Sequence, residues 1–245
     1  MRNFFFRQNE KMSVFHFKQF SIKQDKTAMK VGTDSILLGA WLHVEPKYQN
    51  ILDVGTGTGL LALMMAQKIP HANVKALEID ANAYEEAKMN VEASKWVKQI
   101  TVCKTDAKQW ASKDKYDLVI SNPPYFESSI LSKNVARKIA RHQAHFSIED
   151  LVSLWKKCGS THSDLACVLP MNESLKMIDI IEEKGLYTKK FVAVRSYKKS
   201  PEKRALLLFS KQQTKRENSE IYIYASQGEY SKAYTDMTKD FYLHF

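Results

Sequence analysis

A short segment in the middle of the chain carries the residue types needed to handle a flat amino group. Asn122-Pro123-Pro124-Tyr125-Phe126 follows the apolar run 118–120. That run, bounded by a proline pair, predicts a buried strand that stops abruptly. Two successive prolines cannot continue a sheet, so the chain is held there in an extended turn. The turn offers the Asn122 side-chain amide, the Pro123 carbonyl and the Tyr125 ring. The two oxygens can accept both N–H bonds of an exocyclic amino group while the ring stacks on the base that carries it. Phe126 would be a wall or a second stacking surface. An ordinary strand exit with a surface tyrosine uses the same residues, and this segment alone leaves both readings open.

A second constellation lies upstream. Asp53-x-Gly55-x-Gly57-x-Gly59 follows an apolar run and precedes another. Glycines at alternate positions let a backbone pass close to a ligand. Leu60 stands where the last glycine of a dinucleotide fingerprint would fall, and no Gly-Lys-Ser/Thr follows. Without a phosphate cradle, the expected ligand is a nucleoside lacking a pyrophosphate. Glu78, at the end of the next strand, would accept both ribose hydroxyls, the usual task of an acid there. Asp106, one strand further, would accept from an adenine amino group. Asp53 would face the amino-acid end of the ligand, directly or through water. Each acid alone is as well explained as a polar strand end. Three of them at three successive strand ends, beside a glycine turn, favour a nucleoside site.

These residues need elements to hold them. Apolar runs and turn signals predict strands at 50–54, 74–79, 100–104, 116–121 and 165–169. Helices are predicted at 60–68, 81–94, 147–157 and 173–184. This alternation means an α/β fold, a mostly parallel sheet with helices on both faces. Runs 191–197 and 205–209 have no helix between them and should pair as an antiparallel hairpin at the sheet's end. A further strand is possible at 221–224 and a last helix at 231–240. Residues 1–13 read as a loose tail and 14–42 as a lead-in strand and helix, within one domain spanning 1–245. Gly32-Thr33-Asp34-Ser35 would open that helix. Its free N–H groups could hold a carboxylate, or the cluster could be a simple cap.

Composition bounds the partners. Lys and Arg number 37 against 27 Asp and Glu, a net charge of +10, which favours an anionic partner, nucleic acid first. Lys133, Arg137, Lys138 and Arg141 crowd behind the proline turn, and Lys198, Lys199, Lys203 and Arg204 form a second basic patch. Both could track RNA phosphates, or could be solvated loop charge. His142 and His145 lack a third ligand, so no metal site is expected. No apolar run is long enough for a membrane span. Three scattered cysteines and no secretory signal point to the cytoplasm.

Asp53-Val54-Gly55-Thr56-Gly57-Thr58-Gly59, with Glu78, Asp106 and Asn122-Pro123-Pro124-Tyr125, resembles the class I S-adenosylmethionine-dependent methyltransferases. The Asn-Pro-Pro-Tyr form is that of methylases acting on the amino group of adenine, guanine or a glutamine side chain. Phe17-Lys18-Gln19-Phe20, the stretch 29–41 and the ending 230–243 are similar to the bacterial tRNA1(Val) adenine-N6 methyltransferase family. The loop 127–136 departs from its pattern. The resemblance implies a Rossmann-like, seven-stranded sheet, S-adenosylmethionine as cofactor and tRNA as partner, with adenine 37 beside the anticodon as target. It implies cofactor contacts at Gly55, Gly57, Glu78 and Asp106 and their neighbours Thr56, Gly59, Ile79 and Ala107, with Lys30, Gly32 and Thr33 near the methionine end. Asn122 would serve both cofactor and catalysis, with Pro123, Pro124 and Tyr125. A protein-glutamine methylase, a DNA adenine or rRNA guanine methylase and a non-enzymatic RNA-binding protein are the competing readings. The oligomeric state is not legible.

Overall fold

The computed structural model describes residues 13–123 and 146–244. The chain opens with a small antiparallel hairpin, β1 (Val14–His16) and β2 (Ser21–Lys23), closed by Phe17 N–H donating to the Phe20 carbonyl. Helix α1 (Thr33–Trp41) follows. Then strand and helix alternate: β3 (Asn50–Val54), α2 (Leu60–Lys68), β4 (Asn73–Glu78), α3 (Ala81–Glu92), β5 (Ile100–Lys104) and β6 (Tyr116–Ser121). After the undescribed segment come α4 (Ile148–Cys158), β7 (Gly159–Pro170), α5 (Met171–Glu183), β8 (Tyr187–Arg195), β9 (Glu202–Ser210) and β10 (Glu217–Tyr222). A second small hairpin, β11 (Tyr224–Ser226) with β12 (Glu229–Tyr230), leads into α6 (Lys232–Thr238).

The main sheet runs β10-β8-β9-β7-β6-β3-β4-β5, with β9 antiparallel to both its neighbours and every other pair parallel. The expected hairpin is β8–β9. The sheet has one strand more than the expected seven: β10 lies outside the hairpin and pairs in parallel with β8. Its first four residues, Glu217 to Glu220, are exposed and polar, so the run showed no strand period. The backbone ladder to β8 holds it there regardless of propensity. Only 221–224 had looked like a strand, because Ile221 and Ile223 alone reach the core.

Successive side chains point to opposite faces of each strand, and the two cores follow that period. Ile51, Leu118, Ile120, Ala166 and Val168 face α1, α2 and α6. Leu52, Val54, Val119, Leu165 and Cys167 face α4 and α5. The lead-in strand is one arm of that small hairpin, whose tight turn lies at 17–20. Phe17, Phe20, Trp96 and Tyr242 pack together there. Lys18 N–H donates to the Phe241 carbonyl at 2.8 Å, joining the lead-in to the last residues of the described chain.

Candidate active site

The order of strands turns at one place. From β3 the chain moves outward through β4 to β5, and from β6 in the other direction to β7. Crevices at such a reversal, at the carboxyl ends of the strands, are where open α/β sheets bind ligands. The glycine turn leaves β3 there and the Asn122 turn leaves β6 there, on neighbouring strands paired Asp53 to Ile120. Ser121 Oγ donates to the Val54 carbonyl at 2.8 Å and ties the two exits together. The two constellations thus share one crevice.

Asn122 is half-buried, and its Nδ2 donates to Ser35 Oγ at 2.8 Å. In this arrangement the amide turns its oxygen away from Ser35. Its Oδ1 is buried and has no hydrogen-bond partner among the described residues. A buried, unpaired acceptor is costly, typically ~1–3 kcal/mol, and calls for a ligand donor. Pro123 is buried beside it. Pro124, Tyr125 and Phe126 lie outside the described residues, as do Lys133, Arg137, Lys138, Arg141, His142 and His145.

Ser35 belongs to the first turn of α1, whose N-cap Gly32 supplies no side-chain hydrogen bond. Thr33 and Gly32 are exposed, as is Lys30. The helix start next to Asn122 therefore keeps unsatisfied N–H groups, a site suited to a carboxylate. Of the two readings open from sequence, a side-chain cap is thereby removed.

The glycine turn depends on backbone that other residues avoid. Gly55 and Gly57 sit at φ 71° and 58°, and a Cβ built on either meets nothing within 4 Å. The space above the turn is open, room for a ligand pressed against bare backbone. Asp53 is fully buried beneath it, where Oδ2 accepts from Thr56 Oγ1 at 2.6 Å. Burial raises its pKa from 3.8 to about 7. Oδ2 braces the turn from below, while Oδ1 is buried without a hydrogen-bond partner among the described residues. Thr56 is likewise buried, with its N–H on the Leu77 carbonyl.

Glu78 is preoriented by backbone. Its Oε2 accepts from Gly57 N–H at 2.8 Å, and its Oε1 from the N–H groups of Ile79 and Asp80, each at 2.9 Å. A carboxylate oxygen takes about two donors, so Oε1 is full and Oε2 has one place left. Of the two oxygens, Oε2 is thus the one with room for a ribose hydroxyl. Ile79 is 61% exposed beside it, an apolar face of the kind a purine packs on. Asp106 and Ala107 are half-buried on the next loop, and Asp106 Oδ1 accepts from Lys108 N–H at 2.9 Å.

Sequence reasoning passed over the residues that hold the lead-in. Glu86 on α3 is 1% exposed, and its carboxylate accepts from the N–H groups of Asp25, Lys26 and Thr27 at 2.6, 3.0 and 2.9 Å. The Thr27 hydroxyl donates to it as well. One turn on, Asn90 accepts from Lys23 N–H at 2.8 Å and donates to the Lys23 and Thr58 carbonyls, both at 2.9 Å. Gln24 Oε1 accepts from Val31 N–H at 2.7 Å. Together they fasten residues 23–31 to the glycine turn and so position Lys30 to Thr33. A signal existed: Glu86 and Asn90 share the helix face of Ala83, Ala87 and Val91.

Arg204 is also corrected. Its guanidinium pairs with Asp34, at the start of α1. That contact removes it from the cations free to meet RNA and leaves Lys198, Lys199 and Lys203, all exposed. Among the described residues no group of His, Cys, Asp or Glu could hold a metal, and no helix is long and apolar enough to cross a membrane.

Residues 27–187 match the methyltransferase small domain model. The tRNA1(Val) (adenine(37)-N6)-methyltransferase of Flavobacterium johnsoniae is 40% identical over 233 residues, covering 94% of this chain and 99% of that protein. That of Bacteroides fragilis is 41% identical over 234 residues, covering 94% and 97%. Among solved structures, a predicted O-methyltransferase from Agrobacterium tumefaciens superposes with a TM-score of 0.66 at 15% identity, covering 85% of this chain and 96% of that one. The N-terminal domain of human METTL16 in complex with SAH gives 0.51 at 18%, covering 79% and 76%. Those structures share the fold, and the relatives align over nearly the whole chain: the chain belongs to the tRNA1(Val) (adenine(37)-N6)-methyltransferase family.

Proposed function

We propose that this protein transfers a methyl group from S-adenosylmethionine to N6 of an adenine in tRNA, the adenine at position 37 of tRNA1(Val), in the cytoplasm. The observation that carries the reading is the buried Asn122 Oδ1, unpartnered among the described residues at the sheet's reversal, with its amide held by Ser35. The relatives' names supply the substrate.

The open space over Gly55 and Gly57 and the uncapped start of α1 fit a nucleoside joined to an amino acid. Glu78 Oε2 would take a ribose hydroxyl, Ile79 and Ala107 would flank the purine, and Asp106 would accept from its amino group. The N–H groups from Gly32 and Thr33 onward would hold the carboxylate, with Lys30 adding charge. Gly59 and Thr56 support the turn from behind. When bound, the sulfonium supplies an electrophilic methyl.

The N6 lone pair of the target base is spread into its ring. Asn122 Oδ1 and the Pro123 carbonyl would draw the two amino hydrogens, leaving the lone pair more localised on nitrogen. They are fixed before the base arrives, so little reorganisation opposes the charge that develops on attack. Positioning supplies much of the remainder, and no general base is needed. Pro124 would keep the corner rigid and Tyr125 would stack on the base, which must leave its loop stack to reach it.

The test is incubation with labelled cofactor and total tRNA lacking this modification, followed by nucleoside mass spectrometry. N6-methyladenosine in tRNA1(Val) is expected. Label on another nucleoside, or on a protein glutamine, would overturn the assignment.

A further inference from the structure

A row of tyrosines climbs from the core to the surface at one corner of the sheet. Tyr234 of α6 is 1% exposed. Tyr230 stacks on it with ring centroids 5.0 Å apart and planes 15° apart. Tyr224 stacks on Tyr230 at 5.1 Å and 23°, and Tyr197 lies against Tyr224 at 5.5 Å and 35°. Tyr197 and Tyr230 are each 39% exposed. The row ends at the turn between β8 and β9, where Lys198, Lys199 and Lys203 are exposed.

The corner stands on the same edge of the sheet as Asn122. β8 and β10 run parallel to β6 and β7; the register sets Phe191 and Asn218 level with Ser121, so Arg195 and Tyr222 end on the same side, four residues or roughly 13 Å further along the strands. At about 4.8 Å per strand, β8 lies roughly 14 Å from β6 and β10 roughly 19 Å. The corner is also preorganised. Arg195 donates to Glu202 at 2.6 Å, to Glu220 at 3.0 Å and to the Ser200 carbonyl at 2.6 Å. One guanidinium thus pins the turn and offsets one of the two acids, and the three lysines outweigh the charge of the other.

We propose that this corner is a docking platform for unpaired nucleotides of the RNA, with Tyr197, at the end of the row, offering a ring face to a base and Lys198, Lys199 and Lys203 meeting phosphates. The inference rests on the RNA-methyltransferase reading and adds the aromatic half of the contact. Ring faces interleaved with cations are the pattern that binds single strands with little sequence preference. A loop whose target base is turned out into the crevice presents its neighbouring bases along the same edge.

Binding of an unmodified tRNA transcript across a salt series, together with KM for tRNA and affinity for S-adenosylhomocysteine, tests it. Tyr197→Ala should weaken tRNA binding about tenfold at every salt concentration, toward the low end of a base–aromatic stack. It should leave the salt slope and the S-adenosylhomocysteine affinity unchanged. Tyr197→Trp should bind within twofold of the parent. Lys198→Ala with Lys199→Ala should flatten the salt slope by about 1.4, the effect of two single-strand phosphate contacts. Tyr197→Leu serves if the alanine variant unfolds. Unchanged tRNA affinity and KM in Tyr197→Ala would overturn the platform while the parent still methylates tRNA. A tryptophan variant as weak as alanine would also overturn it, marking Tyr197 as packing for Tyr224. A parent that methylates no tRNA removes the reading beneath it as well.

Discussion

Glu86→Gln is the sharpest perturbation of the proposed cofactor site, because the residue touches no ligand. The side chain keeps its volume, loses its charge and turns one acceptor oxygen into a donor. The carboxylate takes two donors on each oxygen: the N–H groups of Asp25 and Lys26 on Oε1, and the N–H and hydroxyl of Thr27 on Oε2. With nitrogen in place of Oε1 two N–H groups lose their acceptor; in place of Oε2 the Thr27 N–H loses its acceptor while the hydroxyl can turn and accept. A hydrogen bond to a charged group contributes ~1.5–3 kcal/mol, so the loss of one or two amounts to about 1.5–6 kcal/mol. Asp25 and Lys26 are exposed and can turn to water, which roughly halves the cost. The loss should appear as local release of residues 25–31 and not as global unfolding. Cofactor affinity, measured by calorimetry with S-adenosylhomocysteine, should fall by one to two orders of magnitude. The thermal midpoint should move by only a few degrees, and amide exchange should rise at 25–31. KM for tRNA should move less than KM for the cofactor. Affinity within threefold of the parent, in a folded variant, would refute the claim that this carboxylate positions the start of α1.

Asn122→Ala should lower kcat about a hundredfold while S-adenosylhomocysteine affinity stays within a few fold, as expected when a fixed acceptor at the reacting centre is lost; equal turnover would sink the assignment. Gly57→Ala forces a φ of 58° on a residue with a Cβ, a strain of ~1–2 kcal/mol, and puts a methyl into the open space above the turn. It should cost cofactor affinity at least tenfold by the same titration, and unchanged binding would mean the ligand lies elsewhere. Asp53 has its folded pKa raised from 3.8 to about 7, so the folded state holds the extra proton between those values. Its contribution to stability is therefore full below pH 4 and lost as pH rises through 7. The stability of the parent relative to Asp53→Asn should fall between about pH 4 and pH 7 in urea titrations; a gap independent of pH would refute the burial argument. Charge reversal at Arg137 and Arg141 should flatten the salt dependence of tRNA binding, and an unchanged slope would move the RNA path off that segment.

The sequence alone determined the alternation of elements, the two turns that carry the chemistry and the strands they leave. These are local matters: apolar period reports burial, and glycine and proline report the backbone a turn demands. Tertiary structure decided what the residues do in company. No local pattern tells Arg204 that Asp34 lies within reach, or tells the polar run Glu217 to Glu220 that β8 offers it a ladder. Glu78 read as free for a ligand because the N–H groups that fill it come partly from another loop. Glu86 drew no notice in the sequence because its partners stand some sixty residues earlier. The tyrosine row joins positions 197, 224, 230 and 234, which meet only once β10 has paired beside β8. Hydrogen bonds and ion pairs act over a few ångströms in space, and which groups come that close is decided by how the strands are ordered.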